Sequence, residues 1–128
     1  MTVLVLDTHA ALWWSFFPEK LSPTAVEALE AAETLVFPAI IFWETALLVR
    51  KRRIELKLST AAWLRGLKSS SRTVIMPLTA KMALRADQLA MHDDPADRFI
   101  VATALRADAP LVTKDAAIQA TKLVPTIW

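Results

Sequence analysis

The chain has no cysteine, no tyrosine, no asparagine, one glycine (Gly66) and two histidines (His9 and His92) in 128 residues. Without cysteine there are no disulfides, no thiolate metal sites and no thiol nucleophile, and thiol usage gives no indication of redox compartment. A single glycine excludes the phosphate-cradling loops of P-loop and dinucleotide-binding proteins, which need several glycines at fixed spacing. Two widely separated histidines do not make a histidine-rich zinc site, although one can still act as a general base. No stretch reads as a membrane span: the apolar run over 35–48 is interrupted by Glu44 and falls short of about 20 residues. The N-terminus lacks the pattern of a secretory leader, because Asp7 falls where its apolar region would continue, so a cytoplasmic location is expected. The chemistry must come from carboxylates, hydroxyls and cations.

The residues present are 55% hydrophobic and 22% charged, which is enough for a packed interior and too apolar for a disordered segment. The length suits one domain spanning residues 1–128. The apolar fraction exceeds what so small a monomer needs, so part of it is expected at a second buried surface. The net charge of +2 conceals an uneven distribution. Residues 1–49 carry Lys20 against six acids, residues 50–85 carry ten Lys/Arg against Glu55, and residues 86–128 carry four against six. A basic middle between acidic ends suggests an anionic partner, the plain alternative being a solvated basic face.

Along the chain, Thr2 to Leu6 reads as a buried strand that ends at Asp7. Thr8 to Phe17 reads as a helix stopped by Pro18, and Ser22-Pro23 as the start of a second helix running to Glu33. Leu35 to Phe37 is a second strand, and Pro38 opens a long helix to about Arg53. Ser59 caps a helix to Leu67, Thr73 to Met76 is a third strand, and Thr79 caps a helix to about Ala90. Asp94-Pro95 begins a helix to Ala107, Pro110 to Thr113 is a fourth strand, a short helix follows Asp115, and Leu123-Val124 offers an edge strand. Short apolar strands alternating with helices predict a three-layer α/β fold with parallel pairing and both sheet faces covered. In such folds the ligand site lies beyond the carboxyl ends of the strands, where the crossover direction switches. Asp7 and Asp115 follow the first and fourth strands.

Taken singly, Asp7, Asp94 and Asp115 each serve equally well as helix N-caps, and Asp97 as a first-turn acid favoured by the helix dipole. Glu44 is different. It lies in the middle of an apolar arc formed by Ile40, Ile41, Leu47 and Leu48, about six residues into its helix. A carboxylate there costs several kcal/mol of desolvation unless protonated, paired or metal-bound. Arg50 and Arg98 are the candidates for a structural ion pair. The functional alternative is that Glu44, Asp7, Asp97 and Asp115 converge, with their repulsion relieved by a hard divalent cation, Mg²⁺ or Mn²⁺. Such an ion supports phosphodiester hydrolysis by activating water and neutralising phosphate charge.

The segments VLDTHAALWW, PAIIFWETALL, HDDPADRFIVATAL and APLVTKD, in this order and spacing, resemble the PIN-domain proteins, in particular the VapC-type toxins of bacterial toxin–antitoxin systems. The likeness runs from Leu4 to the C-terminus. It implies a three-layer αβα PIN-like fold with a four- to five-stranded, mainly parallel sheet. It places the family's four acidic positions on Asp7, Glu44, Asp97 and Asp115, as catalytic and metal-ligating residues. The implied activity is Mg²⁺- or Mn²⁺-dependent endonucleolytic cleavage of structured RNA such as tRNA or rRNA, silenced by a small cognate antitoxin, in a homodimer. Asp94 enters as an N-cap or auxiliary ligand, Thr8 and Thr113 as hydroxyls that accompany the acids or satisfy nearby backbone, and Asp93 without a role. An inactive PIN-like module that binds RNA or protein is the alternative. A phosphoacceptor domain would need an acid after a central strand, and a haloacid-dehalogenase-like phosphatase would need an Asp where His9 stands.

Arg50, Lys51, Arg52 and Arg53 close the Glu44 helix, either for local electrostatic reasons or as phosphate contacts. Arg98 and Lys114 adjoin the acids and are expected to touch the scissile phosphate or orient the carboxylates. The five Trp are candidates for base stacking, core, dimer seam or antitoxin groove. His9 reads as a helix-face residue and His92 as a loop residue.

Overall fold

The computed structural model describes residues 2–128. Five strands form one sheet: β1 (Val3–Leu6), β2 (Thr34–Pro38), β3 (Thr73–Met76), β4 (Leu111–Val112) and β5 (Thr126–Ile127). Their order is β3-β2-β1-β4-β5, and every pairing is parallel. Seven helices connect them: α1 (Thr8–Phe16), α2 (Pro23–Ala31), α3 (Ile40–Arg50), α4 (Thr60–Lys68), α5 (Ala80–Asp87), α6 (Pro95–Ala107) and α7 (Ala116–Thr121). Leu4, Val5, Leu6, Leu35, Val36, Phe37, Leu111 and Val112 are all buried, so the three inner strands are covered on both faces. This is why they read in sequence as unbroken apolar runs and not as alternating ones. Chain direction across the sheet reverses at β1: successive strands go to β2 and β3 on one side, then return to β4 and β5 on the other.

Helix starts follow local chemistry. Ser22, Ser59, Thr79, Asp94 and Asp115 each accept a backbone N–H three residues on, and Asp7 does the same for α1. The ends depart from expectation where tertiary contacts intervene. Helix α2 stops at Ala31 and not at Glu33, because the N–H groups of Glu33 and Thr34 both turn to the carbonyl of Thr2 to open β2. Pro38 is the last residue of β2, opposite Met76, so α3 starts two residues later than expected. The same helix ends at Arg50 because Arg52 takes a left-handed conformation (φ 57°), which terminates it. A 3-10 turn at Pro18–Lys20, not anticipated, follows the pre-proline break at Phe17. The edge strand lies at Thr126–Ile127, displaced from Leu123-Val124, because Lys122 is left-handed (φ 55°) and the chain must turn before it can pair with β4.

Not all of the apolar surplus is internal. Among the described residues Trp43, Val49, Leu58, Val74, Leu78 and Leu84 are exposed, Leu84 to 70%. No helix among the described residues is long and apolar enough to cross a membrane.

Candidate metal and nucleic-acid site

A cavity of about 480 Å³ opens at the carboxyl ends of β1 and β4, where the direction of the sheet reverses; it is lined by Asp7, Thr8, His9, Trp13, Glu44, Asp94, Asp97, Ile100, Lys114 and Asp115. The four acids singled out in the sequence therefore share one site. Each arrives by a different route.

Asp7 ends β1 and caps α1, its Oδ1 accepting the Ala10 N–H at 2.8 Å while its Oδ2 accepts the Thr113 hydroxyl at 2.5 Å. It is 7% exposed, and burial pushes its carboxyl up from 3.8 to about 6 despite both hydrogen bonds. Thr113 is fully buried beyond the end of β4, and its oxygen also accepts the Asp115 N–H at 3.0 Å. This hydroxyl thus fixes Asp7 and Asp115 relative to each other. Asp115 caps α7 through Ile118 N–H at 2.9 Å.

Glu44 projects from α3 and accepts a hydrogen bond from the hydroxyl of Thr8, the first residue of α1. Partial burial, followed by the charges of Asp97 and Asp94, raises its carboxyl above the ordinary range. Neither Arg50 nor Arg98 pairs with it; the ion pairs among the described residues are His92 with Asp97 and Arg98 with Asp93. Its neighbour Thr45 is fully buried, with a hydroxyl that has no hydrogen-bond partner among the described residues.

Asp97 stands in the first turn of α6, its N–H donating to Oδ1 of the N-cap Asp94 at 3.1 Å. The His92 Nε2–H donates to Asp97 Oδ2 at 2.7 Å. Burial first, then Asp94 and Asp115, raise the Asp97 carboxyl, and the bond to Asp97 raises the imidazole of His92. His92 is in a loop, as read, yet its bond to Asp97 was not foreseen. The Asp93-Asp94-Pro95 turn before a capped helix is the one sequence signal that the loop folds back onto the first turn.

Arg98 does not reach the cavity, contrary to the expectation from its place beside Asp97. Its guanidinium donates to the carbonyls of His92 (3.0 Å), Ala86 (2.9 Å), Asp87 (3.3 Å), Leu89 (3.2 Å) and Met91 (2.6 Å), and to the Asp93 carboxylate at 3.4 Å. It organises the segment between α5 and α6, which is also why α5 ends at Asp87 and not near Ala90. The contact with Arg98 is the one side-chain hydrogen bond that Asp93 makes among the described residues. Arg50, Lys51, Arg52 and Arg53 are exposed and lie outside the cavity lining; Arg50 is six residues beyond Glu44, about 9 Å further along α3. Lys114 does line the cavity, with Nζ 5.8 Å from the centre of the Trp13 ring.

The donor set suits a hard divalent cation. It consists of carboxylate and hydroxyl oxygens, and three of the carboxyls are raised by burial and by one another, a cost that a bound cation relieves. Among the described residues no three acid or imidazole groups stand close enough to ligate one ion together. Mg²⁺ does not require it, being held by one or two carboxylates and otherwise by water.

Residues 4–123 match the PIN domain family. The chain is 42% identical over 116 residues, 90% of its own length and 88% of the relative's, to Ribonuclease VapC22 of Mycobacterium tuberculosis (strain ATCC 25618 / H37Rv). Its fold is similar to VapBC2 from Rickettsia felis bound to a DNA fragment from the promoter, with TM-score 0.69 and 18% identity over 98% of this chain and 97% of that one. It is also similar to the sarcin-ricin loop cleaving toxin VapC20 of Mycobacterium tuberculosis, with TM-score 0.66 and 18% identity over 91% and 93% of the two chains. Site, sheet order and sequence agree: the chain belongs to the PIN-domain family and, within it, to the VapC-type proteins.

Proposed function

We propose that this protein is a divalent-metal-dependent endoribonuclease, the toxin of a toxin–antitoxin pair, which hydrolyses phosphodiester bonds in structured RNA such as tRNA or rRNA. The observation that carries this reading is the gathering of Asp7, Glu44, Asp97 and Asp115 at one reversal point of a parallel sheet, in a chain 42% identical to a ribonuclease. Solved structures of similar fold include a toxin–antitoxin complex from Klebsiella pneumoniae, which supports a small cognate antitoxin as partner. The protein is read as a single cytoplasmic domain over 1–128 that works as a homodimer, the exposed apolar side chains supplying its seam or the antitoxin's.

Of Asp7, Asp97, Asp115 and Glu44, one or two would ligate Mg²⁺ or Mn²⁺ directly and the others would hold it through water. When bound, the ion lowers the pKa of water and neutralises phosphate charge. The chain's own groups prepare the site. Thr113 and Thr8 donate to Asp7 and Glu44, and His92 donates to Asp97, so the carboxylates are oriented before substrate arrives. Lys114 at the cavity wall takes a phosphate of the bound strand. The Arg50–Arg53 tract takes more distant phosphates through salt-dependent contacts. Asp94 acts by capping α6 and by adding negative potential beside Asp97.

Asp7→Ala and Asp97→Asn are expected to abolish RNA cleavage and growth inhibition while each protein keeps its circular dichroism spectrum and cooperative melt. Cleavage retained by both variants would overturn the assignment. The metal has a separate readout: Mn²⁺ is expected to raise the melting temperature of the wild type and to leave Asp97→Asn nearly unchanged, since binding to the native state alone stabilises it. No Mn²⁺-dependent shift in the wild type would point to an inactive binding module.

A further inference from the structure

The cavity poses an electrostatic problem for a polyanionic substrate. Five carboxylates line it, and among its lining residues Lys114 is the only lysine or arginine. The cation and Lys114 answer this at the phosphate, but neither contacts the base beside it, which an uncharged group has to hold. Trp13 is placed to do so. Among the described residues it is the only tryptophan on the cavity wall. Trp63 is 3% exposed with its indole N–H bonded to Ser15, a packing role, and Trp43 is 56% exposed on α3 outside the cavity.

The Trp13 ring is also held in position. Its centre is 5.6 Å from His9, one turn earlier on the same face of α1, and 5.6 Å from Trp128, which follows β5. Both neighbours are tilted by just over 50° to it, bracing the ring instead of covering it as parallel stacks. The group above the ring is the Lys114 ammonium at 5.8 Å, near the outer limit of a cation–π contact and on an exposed, flexible stem. An arriving flat group displaces that cation at little cost and leaves it free to meet the phosphate of the same nucleotide.

We infer that Trp13 is the stacking platform for an unpaired nucleobase next to the scissile phosphate. This rests on the ribonuclease reading and deepens it. The substrate it selects is RNA whose base at this point is free to leave the helix stack, as in a loop or single strand. The preference among bases is weak, because an indole face reads the π-surface and not the hydrogen-bonding edge.

The test is a double-mutant cycle on a cleaved RNA hairpin in which each loop position in turn is made abasic. For the wild type, one abasic position flanking the cut bond is expected to lower kcat/KM about tenfold or more, within the range of base–aromatic stacking. Trp13→Ala is expected to lose a similar factor on the intact hairpin and to show no further loss on the abasic one. Trp13→Phe, which keeps a ring in the packing with His9 and Trp128, retains most of the activity. Two independent losses that multiply would overturn the inference, as would a wild type indifferent to every abasic position, an arm that needs no variant to fold. Binding is measured separately on Asp97→Asn by fluorescence anisotropy, with labelled oligouridylate against its abasic counterpart. Failure of all cleavage refutes the nuclease, whereas equal affinity for the two oligomers refutes the platform.

Discussion

Asp7 is the residue on which function and stability conflict most directly. Its carboxyl is raised from 3.8 to about 6 in the folded protein, with burial as the main cause. Below pH 3.8 both folded and unfolded chains hold the proton, and the group has no effect on stability. Between 3.8 and 6 the folded chain holds it and the unfolded chain does not, so stability falls as pH rises. Above 6 the full cost is present, and about two pH units correspond to about 3 kcal/mol. Glu44, Asp97 and His92 are also raised, and each contributes in the same direction. Asp7→Asn removes the buried charge while an amide oxygen still accepts the Ala10 N–H, so the cap on α1 survives. The amide must donate towards Thr113, whose hydroxyl proton then needs a new acceptor, a loss of about 1 kcal/mol. The net expectation is that Asp7→Asn is inactive and about 2 kcal/mol more stable than the wild type at pH 7.5 in EDTA, with the advantage gone near pH 4. Urea unfolding at both pH values reads this directly. A variant no more stable than the wild type at pH 7.5, or a wild type whose stability does not fall between pH 4 and 7, would refute the reasoning.

Two further substitutions probe the frame around the site. Arg98→Ala removes the donors that gather five carbonyls at the end of α5 and in the segment leading to α6, and the expected loss is about 2–3 kcal/mol by thermal or urea unfolding. Hydrogen exchange should rise selectively over residues 86–93, and a loss below about 0.5 kcal/mol would show that the guanidinium does not hold the segment. Thr45→Val replaces the buried, unpartnered hydroxyl with a methyl group of similar shape and is expected to stabilise the protein by about 1 kcal/mol. A destabilised Thr45→Val would mean that the hydroxyl has a partner.

The inner strands were legible because doubly buried parallel strands are short unbroken apolar runs, as Val3 to Leu6 before Asp7 and Leu35 to Phe37 show, with Pro38 adding to β2 one residue that was expected to open the helix. Helix starts were legible because Ser22, Ser59, Thr79 and Asp94 carry local capping chemistry. The ends of α2, α5 and β5 were not, since they depend on contacts with Thr2, Arg98 and β4, which no local signal records. Among the site residues, the choice posed in sequence between a cap and a cavity acid for Asp7, Asp94 and Asp115 turned out not to be a choice: each does both. A side chain that caps a helix whose N-terminus faces the sheet's carboxyl edge necessarily points at the cavity there. Arg98 misled because adjacency in sequence places it about 100° around α6 from Asp97. The Thr8–Glu44 and Thr113–Asp7 bonds are long-range; the resemblance suggests only that a hydroxyl accompanies the acids at each position, not which carboxylate it meets.

The parallel sheet order also sets how far apart in the chain the parts of the site lie. Asp7 and the Thr113 hydroxyl that orients it are 106 residues apart in sequence, and two further strands, β2 and β3, lie between β1 and β4 in the chain. Contacts of such separation form late, because the closure of a long loop precedes any return from it. A nascent chain carries Asp7 and Glu44 well before Thr113 and Asp115 have been added. The set of four acids is thus incomplete until the residues after β4 have been added, and on the nuclease reading proposed above the chain would not cut before then.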